Sequence, residues 1–224
     1  REIQVRGDAA LVAIDGEADV VVENFRVGTL ERRGLGAEAM LSRHPRLLWC
    51  TVTGFGLESH RPGYDLVVQA ESGWMAITGE PTGNPMKVGV ALADVLAGKD
   101  AAIAILAALA GGRQAPRRLS VSLLHGATAA LVNVAQNVLV TGAEAQRHGN
   151  AHPNLVPYQV FDTADRPMVI AVGSDAQFDA CARALGLPAM ADDPALATNA
   201  GRYAERERVV AAMGGGLRMA PAAT

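Results

Sequence analysis

The chain has 224 residues, of which 50% are hydrophobic and only 4% aromatic, so its core must depend on alanine, valine and leucine. This length suffices for one large domain, or for one small domain and part of another. The formal net charge is −3 and no basic run occurs, which argues against binding to nucleic acid or to an anionic membrane.

The cysteines and the apolar segments indicate a cytoplasmic protein. Cys50 and Cys181 lie far apart and make no disulfide framework, so we expect two reduced, buried thiols. We expect no signal peptide, because Arg1 opens a polar stretch. The apolar segment Ala101–Ala110 is too short to cross a bilayer, and the spacing of cysteine and histidine indicates no metal site.

The first part of the chain alternates short apolar runs with glycine turns. Ala18–Asn24 and Arg46–Val52 predict two buried parallel strands, and Ala37–Ser42 predicts a short helix between them. This strand–helix–strand order indicates part of an open α/β sheet. The next predicted helix, Tyr64–Ala76, would carry on one side Leu66, Val67, Ala70 and Trp74.

One carboxylate, Asp94, stands within the apolar segment Met86–Gly98. We predict a glycine-containing strand before it and an alanine-rich helix, Ala101–Leu109, after it. A carboxylate placed there would be partly desolvated and close to helix N-terminal amides, and aspartate is an accepted covalent nucleophile. The alternative is that Asp94 caps the helix, because aspartate is favoured at that position.

The second part of the chain predicts a mixture of helices and strands. Gly111–Pro116 would separate the apolar helix from a strand at Arg118–Leu123. Gly126–Val140 predicts a second long helix that is apolar nearly all round, so we expect it to be buried against a partner element. A polar loop, Gly142–Pro157, follows. A hairpin and two helices are then predicted at Tyr158–Phe161, Met168–Val172, Gln177–Leu185 and Tyr203–Met213.

Several short motifs surround the Met86–Gly98 segment. They are Ala18–Arg32, Thr53–Gly56, Arg61–Ala70, Ile77–Pro81 and Gly149–Tyr158. Each is weak alone, but five in register are a specific signal. In this order the chain resembles the class III CoA-transferases, or CaiB/BaiF family, which includes formyl-CoA transferase and the α-methylacyl-CoA racemases. The resemblance covers nearly all of residues 8–210 and is closest to the branch that uses succinyl-CoA and dicarboxylic acids.

The resemblance implies an α/β fold in which a partial Rossmann-like open sheet is combined with helical and small α+β segments. We expect a CoA-binding α/β part with the catalytic aspartate at residues 1–113. A linking strand and long helix would follow at 114–145, and a smaller α+β domain at 146–224. Family members are usually much longer, so we interpret the chain as the central portion of the family fold, lacking both ends.

The resemblance also implies a reaction and a set of site residues. CoA would pass between an acyl-CoA and a carboxylic acid through an aspartyl-CoA thioester on Asp94, with acyl-CoA and CoA as substrates and no covalently bound cofactor. Four residues match family positions that contact CoA, where the alternative is an ordinary strand end and solvated helix start. They are Asn24, Phe25, Thr29 and Arg32.

Tyr64 bears on the type of reaction. The racemase branch needs a catalytic histidine in a Gly-His-Asp motif, and this chain has Gly63-Tyr64-Asp65 instead. Tyrosine is a poor base at neutral pH, which favours transfer and leaves racemisation as the alternative. Asn150 and His152 lie where transferases place a loop over the active site, and a solvated loop histidine is the alternative for His152.

Two further expectations concern activity and assembly. Ser120 and His125 depart from the aspartates often found at those positions, so a non-catalytic family member is a third hypothesis. Family members form interlocked dimers, and exposed apolar helices normally find a symmetric partner. We therefore expect a homodimer or a larger assembly of this chain.

Overall fold

The computed structural model describes residues 18–111, 117–219 and 221–222, and it divides into two compact units. The first unit runs to Thr78 and continues over Pro85–Gln146, and the second comprises Gly79–Asn84 and the chain from Arg147 onward. Apart from Gly111, the predicted separator Gly111–Pro116 lies outside the described residues. The division into 1–113, 114–145 and 146–224 stays a prediction.

The first unit contains a three-stranded parallel sheet, which confirms the two predicted parallel strands and adds to them the strand predicted at Arg118–Leu123. Its strands are β1 (Val20–Glu23), β2 (Leu48–Thr53) and β3 (Arg118–Ser122), in the order β1-β2-β3. The prediction that the first strand is buried is wrong, since none of its residues is buried and Val22 is 56% exposed. Cys50 in the central strand pairs with Val22 on one side and Leu119 on the other. β2 is buried at every residue except Val52, because it is flanked by strands on both edges and covered by helices. An apolar run without alternation is typical of such a strand.

Six α-helices accompany this sheet in the described part of the first unit. They are α1 (Ala37–Arg43), α2 (Asp65–Glu71), α3 (Trp74–Ile77), α4 (Leu92–Ala110), α5 (Leu123–Ala129) and α6 (Val132–Thr141). The predicted helix at Ala37–Ser42 is confirmed. The single helix predicted over Tyr64–Ala76 is wrong, since Gly73, at φ +97, ends one helix and starts the next. Its predicted apolar face is also wrong, because Val68 and Gln69 are buried while Leu66 and Val67 are exposed.

The surroundings of Asp94 differ from the prediction. Its helix, α4, begins at Leu92 rather than Ala101, and the residues just before it form no strand. The buried side chain of Gln69 forms the hydrogen bonds that a neighbouring strand would otherwise make. The Gln69 oxygen accepts from the Val88 N–H at 2.8 Å, and its nitrogen donates to the Val90 carbonyl at 3.2 Å. These bonds satisfy backbone groups that a ladder would otherwise pair.

The helix predicted over Gly126–Val140 is two helices, α5 and α6, whose axes differ by 76°. The expectation that it is buried is wrong for its second half, because α6 contains no buried residue. α5 is held in place by Trp74, whose indole N–H donates to the Ala127 carbonyl at 2.8 Å. Among the described helices none alone is long and apolar enough to cross a membrane, although α5 and α6 taken together have the length and composition.

α4 is apolar on two sides, and the described residues cover only one of them. The buried side consists of small residues, which let the helix approach its neighbours closely: Ala93, Ala97, Ala101 and Ala108. The bulkier residues point outward, with 48–65% of their surface exposed: Val95, Ile103, Leu106 and Leu109. The periodicity of a helix that is apolar all round cannot tell these two sides apart.

The second unit packs helices around a hairpin. The hairpin strands β4 (Tyr158–Asp162) and β5 (Pro167–Ala171) are antiparallel, as predicted. The helices are α7 (Asp175–Ala184), α8 (Pro188–Ala191), α9 (Asn199–Ala204) and α10 (Arg206–Leu217). The helix predicted at Tyr203–Met213 is wrong in its start, since α9 ends at Ala204. The Arg147 guanidinium fastens the segment Gly79–Asn84 to this unit by donating to the Glu80 and Gly83 carbonyls, at 3.2 and 2.7 Å.

A buried arginine stabilises the second unit. Arg202 is 1% exposed and donates to the carbonyls of Val156 and Leu196, each at 2.9 Å. It also pairs with Asp175 at 2.7 Å and lies over the Phe178 ring at 4.6 Å. Each of the three guanidinium nitrogens therefore donates to an acceptor, and such pairing is what makes a buried charge tolerable.

We expect Arg202→Ala to lower the free energy of unfolding of this unit by about 3 kcal/mol or more, because it leaves a cavity and buried carbonyls without donors. Urea denaturation followed by circular dichroism measures the change. Arg208→Ala is the matched control, since Arg208 pairs with Asp193 at the surface, where screening by solvent leaves an ion pair little stabilising effect. Equal losses in both variants would contradict the assignment of Arg202 as a core residue.

Candidate functional site

The first unit contains a cleft of about 490 Å³ at the carboxyl ends of the parallel strands. The residues that follow β1, the end of β2 and the start of α5 line it, together with the first turns of α4. This is where open α/β sheets bind their ligands, because the loops leaving the strands diverge there. The volume is in the range of small-molecule sites.

Asp94 lies in this cleft as the third residue of α4. The side chain is exposed, and within the described part of the chain its carboxylate accepts no hydrogen bond. The pKa of Asp94 is raised mainly because the walls of the cleft partly desolvate its carboxylate, and secondarily because of the negative charge of Asp65. The carboxylate therefore has less stabilisation from its surroundings than an ordinary surface aspartate, which favours reactivity toward an electrophile.

Asp94 is not the cap of its helix. The N-cap is Ala91, whose side chain makes no capping bond, and the cap is supplied from α2. One Asp65 oxygen accepts from the Ala93 N–H at 2.8 Å and lies 3.4 Å from the Asp94 backbone nitrogen. The alternative interpretation of Asp94 as a helix cap is thus wrong, because another carboxylate occupies that position.

The residues predicted to contact CoA divide into two pairs. Asn24 and Phe25 line the cleft, directly after β1, and Phe25 is 52% exposed. Thr29 and Arg32 do not line it; Arg32 donates to the Thr29 hydroxyl at 3.3 Å. Their proposed contact with CoA stays a prediction.

Two cationic side chains that the sequence analysis did not select also line the cleft, Arg26 and Arg61. Arg61 forms a two-armed ion pair with Glu71 and lies 4.1 Å from the centre of the Phe55 ring. Hydrogen bonding to Glu71 raises the pKa of Arg61. Both arginines lie inside motifs of the sequence, next to Phe25 and at the start of Arg61–Ala70, so their motif membership was the available signal.

A close backbone contact shapes one wall of the cleft. Gly54 follows β2, Gly63 precedes Tyr64, and both glycines line the cleft. A Cβ atom on Gly54 would overlap the Cα of Gly63 and lie 3.0 Å from its nitrogen, and the reverse substitution would cause the same overlap. Only glycine permits such an approach of two backbones.

Tyr64 is placed differently from what a pocket residue would need. It is 69% exposed, caps α2 by its backbone and is absent from the lining of the cleft. Its predicted role in a substrate pocket stays a prediction.

Asn150 and His152 lie in the second unit. Asn150 is exposed in a turn. The Nδ1 atom of His152 accepts from the backbone N–H groups of Asn154 and Leu155, each at 3.0 Å, so the neutral ring anchors this turn. The solvated-histidine alternative is therefore incomplete: the ring is partly buried and has a structural task.

The stability of the second unit should depend on this histidine. Burial, and then the charge of Arg206, lower the pKa of His152. A lowered folded-state pKa contributes stability that is present above about pH 6.5, the unfolded value, and is lost as pH falls through the folded value. We expect the melting temperature to fall between pH 7.5 and pH 5, and His152→Asn, which keeps an acceptor that does not titrate, to flatten that fall.

The comparison variant is His148→Asn: burial, then the charges of Arg206 and His152, also lower the pKa of His148, so this variant should flatten the fall as well. Calorimetric melting at several pH values measures both variants. An unchanged slope in His152→Asn would contradict the role assigned to its Nδ1 atom.

The sequence is similar to that of a known enzyme family and to several of its members. Residues 4–223 match the model of CoA-transferase family III. The chain is 43% identical over 197 residues to the succinate–glutarate CoA-transferase of Agrobacterium fabrum, covering 86% of this chain and 49% of that protein. It is 38% identical over 210 residues to the succinyl-CoA:glutarate CoA-transferase of Mus musculus, covering 92% and 48%. The chain thus spans about half the length of the curated relatives it matches.

Solved structures agree with the family match. A CAIB/BAIF family protein from Brucella suis is 37% identical, with a TM-score of 0.71 over 91% of this chain and 55% of that one. Protein Rv3272 from Mycobacterium tuberculosis is 27% identical, with a TM-score of 0.81 over 96% and 58%. These likenesses confirm the predicted α/β fold class. With the family model matching almost the whole chain, the protein belongs to the CoA-transferase family III.

Proposed function

We propose that this chain takes part in the transfer of CoA between an acyl-CoA and a carboxylic acid, with Asp94 as the nucleophile. The observation that carries the proposal is the Asp94 carboxylate, unpaired among the described residues, in a cleft at the carboxyl ends of the sheet. The names of the relatives add a substrate class, since they act on succinate, glutarate or their CoA thioesters. We therefore propose succinyl-CoA as the donor and a dicarboxylic acid as the acceptor.

The proposed reaction transfers CoA through successive acyl exchanges on Asp94. An Asp94 oxygen attacks the thioester carbonyl carbon, and the C–S bond breaks as the thiolate leaves with its electron pair, which gives a mixed anhydride and free CoA. The thiolate then attacks the aspartyl carbonyl and releases the first acid, leaving an aspartyl-CoA thioester. The second acid repeats both steps in reverse and restores the free carboxylate of Asp94.

Four side chains lining the cleft have the chemistry to hold CoA. Arg26 and Arg61 offer guanidinium donors to phosphate groups, and Arg61 is held by Glu71 and Phe55. Phe25 presents an exposed aromatic face to an adenine ring, and Asn24 offers both a donor and an acceptor.

Intact-protein mass spectrometry tests the proposal. The protein is incubated with succinyl-CoA and quenched with hydroxylamine, which converts an aspartyl anhydride or thioester into a hydroxamate. We expect the modification on Asp94, located by peptide mapping. A folded sample without modification at Asp94 would refute the proposal for this chain.

A parallel assay separates transfer from racemisation. The protein is incubated in deuterium oxide with a 2-methylacyl-CoA and a free dicarboxylic acid. Transfer should proceed without deuterium entering the α-carbon, since Tyr64 stands where the racemase branch has a histidine. Exchange at the α-carbon without transfer would favour the racemase alternative.

We also propose that the protein is a homodimer in the cytoplasm. The outward side of α4 is apolar and exposed, and so are Val132, Leu139 and Val140 of α6, which are 70–80% exposed. The first unit therefore presents much apolar surface. Both cysteines are free thiols, as expected in a reducing compartment. Light scattering over a dilution series should give a dimer mass, and Ile103→Glu should lower it. A wild-type monomer at micromolar concentration would contradict the assembly.

A further inference from the structure

Asp65 connects α2 to the start of α4 by hydrogen bonds to both sides of its carboxylate. One oxygen accepts from the Ala93 N–H at 2.8 Å and lies 3.4 Å from the Asp94 nitrogen. The other accepts from the Gln69 side chain at 2.7 Å. Asp65 thus links the backbone that carries Asp94 to a buried amide on α2.

The same amide fixes the chain before the helix. Gln69 is fully buried, and its two ends bind the Val88 N–H and the Val90 carbonyl at 2.8 and 3.2 Å. The backbone is therefore held at residues 88, 90 and 93, on both sides of the helix start. α4 has no cap of its own, since its N-cap is Ala91, so its first N–H groups depend on Asp65.

The use of these donors has a consequence for Asp94. A carboxylate at the third position of a helix can itself be stabilised by the N-terminal amides and by the helix dipole. Here Asp65 takes the nearest amides, and the Asp94 carboxylate accepts no hydrogen bond within the described residues. Its oxygens stay available to a substrate in the cleft.

We propose that Asp65 is a positioning residue for Asp94: by binding the Ala93 and Asp94 N–H groups it fixes the start of α4, directs the Asp94 carboxylate into the cleft and keeps it free of helix donors. This inference rests on the proposed function of Asp94. Asp65 does not line the cleft, so it acts through the helix and not on the substrate.

The test compares three variants of the full chain. Asp65→Ala removes the acceptor, and we expect acylation of Asp94 by succinyl-CoA to slow by about 10²-fold, the loss typical of a misplaced reacting group. Asp65→Asn keeps an acceptor oxygen but removes the charge, so its loss should be below about tenfold. Asp100→Asn, in the same helix but outside the cleft, is the control and should acylate at the wild-type rate.

A pH profile distinguishes positioning from a merely structural role. The charged groups that line the cleft with Asp94 are Glu23, Arg26 and Arg61, and Asp65, outside the cleft lining, lies beside the Asp94 backbone. Because the charge of Asp65 contributes to the raised pKa of Asp94, Asp65→Asn should shift the rising limb of the acylation rate to lower pH. If Asp65 only stabilised the fold, Asp65→Asn would lower the amount of folded protein and leave the pH of the rising limb unchanged.

Nuclear magnetic resonance gives a readout that needs no acyl transfer. In Asp65→Asn the ¹³C carboxyl titration of Asp94 should move to lower pH, and in Asp65→Ala the amide hydrogens of Ala93 and Asp94 should exchange faster. If the wild type is not acylated but these changes occur, the proposed function fails and the positioning survives. An unmoved titration, unchanged exchange and acylation within twofold of wild type would overturn the inference.

Discussion

Asp94→Asn should abolish CoA transfer, with a loss of turnover on the order of 10⁴-fold or more, as expected when a covalent nucleophile is removed. The amide oxygen of asparagine is a poor nucleophile and cannot form the acid anhydride from which the thiolate regenerates a thioester. Coupled measurement of acyl-CoA consumption, with and without a dicarboxylic acid, gives the turnover number. Asp94→Glu should retain a fraction of activity, about 10²-fold below wild type, because the carboxylate is kept but displaced.

Binding separates loss of chemistry from loss of the site. The Asp94 carboxylate accepts no hydrogen bond among the described residues, so Asp94→Asn should change the melting temperature little and leave CoA affinity by calorimetry unchanged. Asp100→Asn provides a change of the same charge in the same helix and should retain full turnover. More than a tenth of wild-type turnover in folded Asp94→Asn would exclude Asp94 as the nucleophile.

Alanine at Gly54 or Gly63 should lower the free energy of unfolding of the first unit by at least about 3 kcal/mol. Either new Cβ atom would overlap the backbone of the other glycine, and no flexible side chain is there to yield. The wall of the cleft must then open. Gly54 also accepts from the Ser122 hydroxyl and the Leu124 N–H, at 3.2 and 3.0 Å, so its displacement would disturb the junction of β3 and α5.

Gly89→Ala is the matched control, because its new Cβ meets no atom within 4 Å and its φ is not in the left-handed region. Chemical denaturation should place Gly89→Ala within about 0.5 kcal/mol of wild type. A partial loss of CoA binding in whatever folded fraction of Gly63→Ala remains would connect this contact to the site. Wild-type stability in both Gly54→Ala and Gly63→Ala would refute the close approach of the two backbones.

The sequence by itself determined the parallel strands, the hairpin and the family. Strands β1 and β2 follow from apolar runs bounded by turns, a signal that needs no knowledge of the partner. The family followed from motifs in register, and with it Asp94, because a motif encodes a site whose chemistry requires particular residues at fixed places. The predicted strand end at Asn24 also put Asn24 and Phe25 at the edge where such sheets bind ligands.

Only the tertiary structure decided what surrounds those residues. That Asp65 rather than Asp94 caps α4 depends on two helices meeting across a sequence separation of 28 residues, which local pattern does not report. The same holds for Arg61, which enters the cleft because Glu71 and Phe55 hold it, and for α4, whose alanine side is buried while its bulkier side is exposed. An apolar pattern indicates that a helix face favours burial. Which face is buried, and by which part of the chain, depends on long-range packing.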